Sequence, residues 1–191
     1  MEPIFVENKT FTKSDFTQNP LGKGEYEDCC FINCDFSNSD LSEIQFADCI
    51  FDNCNLTMIK LHKTALRDVK FINCKMLGLH FDHCNKFGLS FSFDNCNLNH
   101  SSFYQAKIKK TIFKNIKLHE VDFTQCELSG SLFNNCDLTG ATFESTNLEK
   151  TDFRSAFNYS IDPEVNKIKK ARFSGSGLAG LLNKYDIEIE N

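Results

Sequence analysis

The chain has 191 residues with 21 Lys and Arg against 26 Asp and Glu, a formal net charge of −5. That balance disfavours direct binding of nucleic acid through a basic surface, and no segment offers the ~20 uninterrupted apolar residues of a membrane span. Met1-Glu2-Pro3-Ile4-Phe5-Val6 lacks the basic start and apolar core of a secretory signal, so a soluble cytoplasmic protein without membrane contact is expected.

From Phe11 a large, mainly apolar residue returns every five positions through Phe16, Leu21, Tyr26, Phe31 and Phe36 as far as Phe81. The frame breaks at Lys86 and resumes two residues late at Phe93, then runs through Leu98, Phe103, Ile108 and Phe113 to Phe153. Two residues before most of these positions stands a smaller side chain, among them Cys29, Cys34, Ser39, Cys49, Cys54, Thr64, Cys74 and Cys84, then Cys96, Ser101, Ala106, Cys126 and Cys136. The other three positions of each pentad are mostly polar, which fits neither the helical nor the strand period. A chain that turns a corner every five residues does fit, with the large and the small residue both facing inward. Four corners close a coil, and Phe31-Ile32-Asn33-Cys34 accordingly returns twenty residues on as Phe51-Asp52-Asn53-Cys54 and again as Phe71-Ile72-Asn73-Cys74. Such a period marks a solenoid. Burying four large residues per coil gains roughly 6–12 kcal/mol, whereas ordering twenty backbones costs roughly 20 kcal/mol or more, so coils fold only when stacked.

Read as columns, Asn33, Asn53, Asn73, Asn95, Asn115 and Asn135 predict an amide ladder along one corner. Nine of the ten cysteines fall at the inward small position, which predicts a dry packing column rather than disulfides; Cys30 alone points outward. Cys30 with Cys34, and His80 with His83 and Cys84, come near zinc-ligand spacing, but Cys34 and Cys84 face inward and their neighbours outward, so no metal or other cofactor is expected.

Asp28, Asp48 and Asp68 form an outward column, and like charges ~4.8 Å apart repel by about 0.9 kcal/mol even in water, so stability is not what selects them. With Glu25, Glu27, Asp35, Asp40, Glu43 and Asp52 they predict an acidic face, either a solvated surface or a docking face for a basic partner. Bases gather later, at Lys107, Lys109, Lys110, Lys114 and Lys117. The interruption at 84–92 reads as a tolerated bulge or as a protruding contact carrying Lys86, Phe87, Gly88 and Ser90.

The five-residue rhythm fades after residue 156, which divides the chain into a repeat domain (1–156) and a C-terminal segment (157–191). In the latter, Gly177–Lys184 predicts a short amphipathic helix and Asp186–Glu190 an alternating strand. A solenoid end must be covered, so Leu178, Leu181, Leu182, Tyr185, Ile187 and Ile189 either cap the core or join two copies. No nucleophile, paired carboxylate or glycine-rich phosphate loop accompanies the five histidines, and catalysis is not expected.

The pattern of a small residue, any residue, Phe or Leu and two more resembles the pentapeptide-repeat proteins over residues 11–156. The resemblance implies an all-β fold, a right-handed quadrilateral parallel β-helix, here of about seven four-sided coils and ~34 Å in length. More narrowly, the Asn158-Tyr159-Ser160-Ile161-Asp162 turn, the Ile168-Lys169-Lys170-Ala171-Arg172-Phe173 segment and the Leu181-Leu182…Asp186-Ile187 ending resemble the immunity group of that family, which includes the microcin- and albicidin-immunity proteins and, more distantly, the quinolone-resistance proteins. That resemblance implies a dimeric rod, joined at its C-termini, that imitates duplex DNA and binds DNA gyrase or topoisomerase IV, with the acids facing the enzyme and the 84–90 loop probing its cleavage region. A structural or regulatory scaffold for another protein is the alternative.

Overall fold

The computed structural model describes residues 4–188. Among them run eleven short strands: β1 (Ile4–Glu7), β2 (Thr10–Thr12), β3 (Gly24–Glu27), β4 (Cys30–Ile32), β5 (Gln45–Ala47), β6 (Ile50–Asp52), β7 (Ala65–Arg67), β8 (Val69–Ile72), β9 (Phe91–Asp94), β10 (Ile112–Lys114) and β11 (Leu132–Asn134). All pair in parallel, as Phe31↔Phe51 and Phe113↔Phe133, so each residue lies beside the one twenty further on. Across the interruption the step becomes 22, at Phe71↔Phe93.

The chain thus builds a four-sided parallel β-solenoid of about seven turns. One wall stacks β1-β3-β5-β7, and the next stacks β2-β4-β6-β8-β9-β10-β11. The third and fourth walls pair through single bridges, such as Asp35↔Asn55↔Lys75 and Ser102↔Asp122↔Thr142. Each wall contributes one large side chain per coil to a single core. Phenylalanines of one wall stack nearly parallel along the axis, Phe113 on Phe133 at 4.7 Å and Phe103 on Phe123 at 5.2 Å. Those of facing walls meet edge-on, Phe103 against Phe113 at 89°. Both arrangements suit the aromatic quadrupole, and they fill the square section closely, leaving a cavity of only about 10 Å³ among Leu41, Phe51, Leu61 and Phe81.

The corners follow from backbone sterics. The residue two beyond the large one adopts a left-handed conformation, with φ of 57° at Asn33, 53° at Asn53 and 55° at Asn73. Asn and Asp tolerate that region better than other side-chain-bearing residues. The amide ladder is interrupted: Asn53 bonds Asn33, Asn95 bonds Asn73 and Asn135 bonds Asn115, but Asn73 turns to Asp52 and Asn115 to Asp94. A carboxylate within reach is the stronger acceptor and captures the amide.

The inward small residues do more than pack. The thiols of Cys54 and Cys74 donate to the carbonyls of Phe31 and Phe51 at 3.2 and 3.3 Å, and the hydroxyls of Thr64 and Thr151 donate to Leu41 and Leu128 at 2.8 and 2.9 Å. In each case the acceptor lies 23 residues back, on the preceding coil. Cys, Ser and Thr are interchangeable there because each is small and carries one donor. All ten cysteines are free. Burial pushes the Cys49 and Cys136 thiols up to about 12, which leaves them unreactive.

The C-terminal segment departs from expectation. In place of an α-helix over Gly177–Lys184, two 3-10 turns span Gly175–Leu181 and Asn183–Tyr185. Three glycines within seven residues oppose an α-helix, and the tighter turns let Gly177 and Gly180 lie flat on Tyr159, where a Cβ at either position would collide. Asp186–Glu188 form no strand, and Ile189 and Glu190 lie outside the described residues. Among the described residues no helix is long and apolar enough to cross a membrane.

Candidate interaction faces

The four-sided coil distributes the nine acids over different walls. Glu25 and Glu27 project from β3 on the first wall, and Asp28, Asp48 and Asp68 occupy the exposed corner between the first and second walls. Glu43 stands on the opposite corner of the first wall, 3.5 Å from Lys23. Asp52 belongs to the second wall, on β6, while Asp35 and Asp40 face outward from the third and fourth. A single partner surface therefore reaches Glu25, Glu27, Asp28, Asp48 and Asp68 together, but not Asp35 or Asp40.

Those last two have local work. The carboxylates of Asp35 and Asp40 accept the amides of Ser37 and Ser42 at 2.8 and 2.9 Å, closing turns. The hydrogen bonds from Ser42 also hold the Asp40 carboxyl below its ordinary range. The backbone at the Asp28, Asp48 and Asp68 corner also accommodates these residues. Their φ angles are 51°, 51° and 52°, the conformation for which Asp is suited.

The same corner changes sign along the rod. Beyond the interruption its positions are Lys110, Gly130, Lys150 and Lys170, again in the left-handed conformation and with all three lysines exposed. The remaining bases are dispersed: Lys107 and Lys109 lie on the first wall, Lys114 pairs with Asp94 on the second at 2.8 Å, and Lys117 is on the third. Where the corner reverses, a groove of about 280 Å³ opens between Asp68, Lys70, Ser90, Lys109 and Lys110.

The interruption is a short outward loop. Lys86, Phe87 and Gly88 are exposed, Phe87 by 80 %, while Leu89 and Phe91 turn back into the core. Gly88, with φ of 68°, makes the reversal against the Arg67 side chain. Ser90 is half-buried and hydrogen-bonds Asp68. Phe87 is thus an unburied aromatic on a protruding tip.

At the C-terminal end Leu178, Leu182, Tyr185 and Ile187 are exposed by 36 to 54 %. Leu181 differs, since it packs against the core and serves as a cap. The tail is pinned by Lys184, which bonds Asp162 at 2.8 Å and Glu164 at 2.6 Å, and by the Tyr185 hydroxyl on Glu164.

Among the histidines the structure differs from the inward–outward reading in one respect. Cys84 is buried as expected, but the rings of His80 and His83 do converge, on the carboxylate of Asp82. The sequence signal was the His-x-Asp-His spacing itself, hidden because the carboxylate was not counted among the ligands.

The repeat is decisive for kinship: residues 25–92 and 89–158 match the family described as the pentapeptide repeat region. The chain is a pentapeptide-repeat protein. No curated protein matches it. Among solved structures, trypsin-treated QnrB1, a plasmid-mediated fluoroquinolone resistance protein, superposes over 100 % of both chains with a TM-score of 0.65 at 16 % identity. HetL, a pentapeptide-repeat protein involved in heterocyst differentiation regulation in the cyanobacterium Nostoc, superposes over 90 % of this chain and 84 % of its own, with a TM-score of 0.57 at 14 % identity. At such identities the likeness is one of fold.

Proposed function

We propose that this pentapeptide-repeat protein is a non-enzymatic binding rod that engages DNA gyrase or topoisomerase IV in place of DNA and so protects the enzyme from topoisomerase poisons. The observation that carries this reading is the exposed acidic corner of Asp28, Asp48 and Asp68, flanked by Glu25 and Glu27 on the first wall. Coils stack at ~4.8 Å, so the row places one negative charge per ~4.8 Å of axis, somewhat sparser than the one per about 3.4 Å of a single DNA strand. A surface evolved to hold duplex DNA is positively charged and receives such a row favourably. Phe87 and Lys86 on the protruding loop supply a second contact, and the apolar tail joins two copies into a longer rod. The fold shared with QnrB1 is compatible with this role.

One observation favours a second reading. Lys110, Lys150 and Lys170 continue the acidic corner with opposite charge, which suits a scaffold for a partner of mixed charge better than an imitation of DNA along the whole rod. A supercoiling assay with purified gyrase and a fluoroquinolone separates the two. Protection by the natural chain and its loss in the Asp28→Lys, Asp48→Lys, Asp68→Lys variant, with unchanged circular dichroism, are the expected results. Absence of rescue at any dose rejects the topoisomerase reading.

A further inference from the structure

We propose that His80, Asp82 and His83 form a binding site for one divalent transition ion of the zinc type. These residues lie on the fourth wall, immediately before the interruption, where Phe81–His83 form a single 3-10 turn. Phe81 is buried and anchors the turn, which leaves its three polar neighbours outside. The backbone is held from both sides: Phe81 N–H donates to Ser102 of the following coil at 2.9 Å, and the His83 carbonyl accepts from Lys63 of the preceding coil at 2.8 Å. The side chains therefore project from a fixed frame.

The separations of their nitrogens from the carboxylate match those between ligands of one ion. His80 Nδ1 lies 3.3 Å from Asp82 Oδ1, and His83 Nε2 lies 3.4 Å from Asp82 Oδ2. Tetrahedral coordination with bonds of ~2.0–2.1 Å sets ligand atoms about 3.3 Å apart, whereas a charge-assisted hydrogen bond draws its atoms to about 2.7–2.9 Å. All the ligand atoms fall within 4.8 Å of one another. The two imidazoles stack with centroids 4.9 Å apart and planes at 13°, so taking up one ion requires a rotation of at least one side chain that brings the ion into both ring planes.

The burial of the carboxylate points the same way. Asp82 is only 17 % exposed in its side chain, and its Oδ1 is shielded from solvent and makes no well-directed hydrogen bond, with His80 Nδ1 lying 3.3 Å away. A shielded carboxylate oxygen without a donor is costly. Protonating both histidines to supply charge would place two cations 4.9 Å apart over one anion. A cation shared by the three groups satisfies the oxygen without that repulsion. Two imidazoles and one carboxylate suit zinc, cobalt or nickel, and discriminate against magnesium and calcium, which take oxygen ligands. Three protein ligands leave a fourth position for water or for a side chain of a bound partner.

Calorimetric titration of the full chain with Zn²⁺ tests the site. One ion per chain is expected, with no competition by Mg²⁺, and affinity should fall on the order of tenfold or more in the His80→Gln, His83→Gln variant. The Cys30→Ser variant should bind as the natural chain does. Equal binding by the histidine variant, loss of binding in Cys30→Ser, or no binding at all would overturn the proposal. Should the histidine variant misfold, Co²⁺ titration of the unaltered chain decides by nuclear magnetic resonance. Selective broadening of the His80 and His83 ring protons is expected, and equal broadening of His62, His100 and His119 rejects the site.

Discussion

Ser90 stands in for a backbone carbonyl at Asp68. Its hydroxyl receives the Asp68 amide at 2.7 Å and donates to the Asp68 carboxylate at 2.9 Å. At the equivalent corners the amides of Asp28 and Asp48 bond the carbonyls of Ala47 and Arg67, on the next coil, at 3.1 and 2.9 Å. The two extra residues displace that carbonyl at the third corner, and a side chain makes good the loss. Ser90, expected as a loop contact, thereby joins the interruption to the acidic corner.

Ser90→Ala leaves the Asp68 amide without its partner while the loop keeps its length. The expected loss is about 1 kcal/mol, equivalent to a fall in Tm of about 2–4 °C for a chain of this size, read by thermal unfolding. Ser90→Thr, which keeps the hydroxyl, should recover most of it. An unchanged Tm in the alanine variant would mean that water replaces the hydroxyl.

Asp137 carries an acid-sensitive part of the stability. Burial alone would raise its carboxyl, but hydrogen bonds from Thr139, Asn158 and His119, the last at 2.8 Å, hold it at about 2. Because the folded value lies below the unfolded one, this contribution is complete above about pH 4 and vanishes as pH falls through about 2. Screening by solvent at this partly exposed site leaves a contribution on the order of 1 kcal/mol. Urea unfolding of Asp137→Asn should therefore show a deficit at pH 6 that shrinks toward pH 2, and a deficit independent of pH would contradict the assignment.

The tail offers a test of self-association that spares the core. Cutting before Gly177 would also remove Leu181 and uncover Tyr159, so truncation confounds capping with joining. Leu178→Asp with Ile187→Asp changes only exposed side chains. If two copies meet at this surface, sedimentation should give a dimer for the natural chain and a monomer for the variant. Identical masses would leave the tail a cap alone.

The repeat made the coil legible because every fifth side chain obeys one steric demand, and the step from Phe71 to Phe93 announces the interruption just as plainly. What lay beyond reading was set by contacts between coils. The Asn column looks uniform in sequence, yet Asp52 and Asp94 divert two of its members. Nine acids look like one face until the corners assign Asp35 and Asp40 to other walls. In the tail, apolar spacing suggested a helix, but glycines lying against Tyr159 decided the backbone. His80 and His83 meet Asp82 where the chain makes a 3-10 turn through Phe81.

The corner that begins with Asp28, Asp48 and Asp68 and ends with Lys110, Lys150 and Lys170 gives the molecule a built-in electrical direction. A charged body approaching within the Debye length, about 8–10 Å in ordinary salt, exerts a torque on such a rod before any side chains touch. One end is then drawn inward and the other turned away, so arrival in the correct sense is chosen during diffusion rather than by trial after contact.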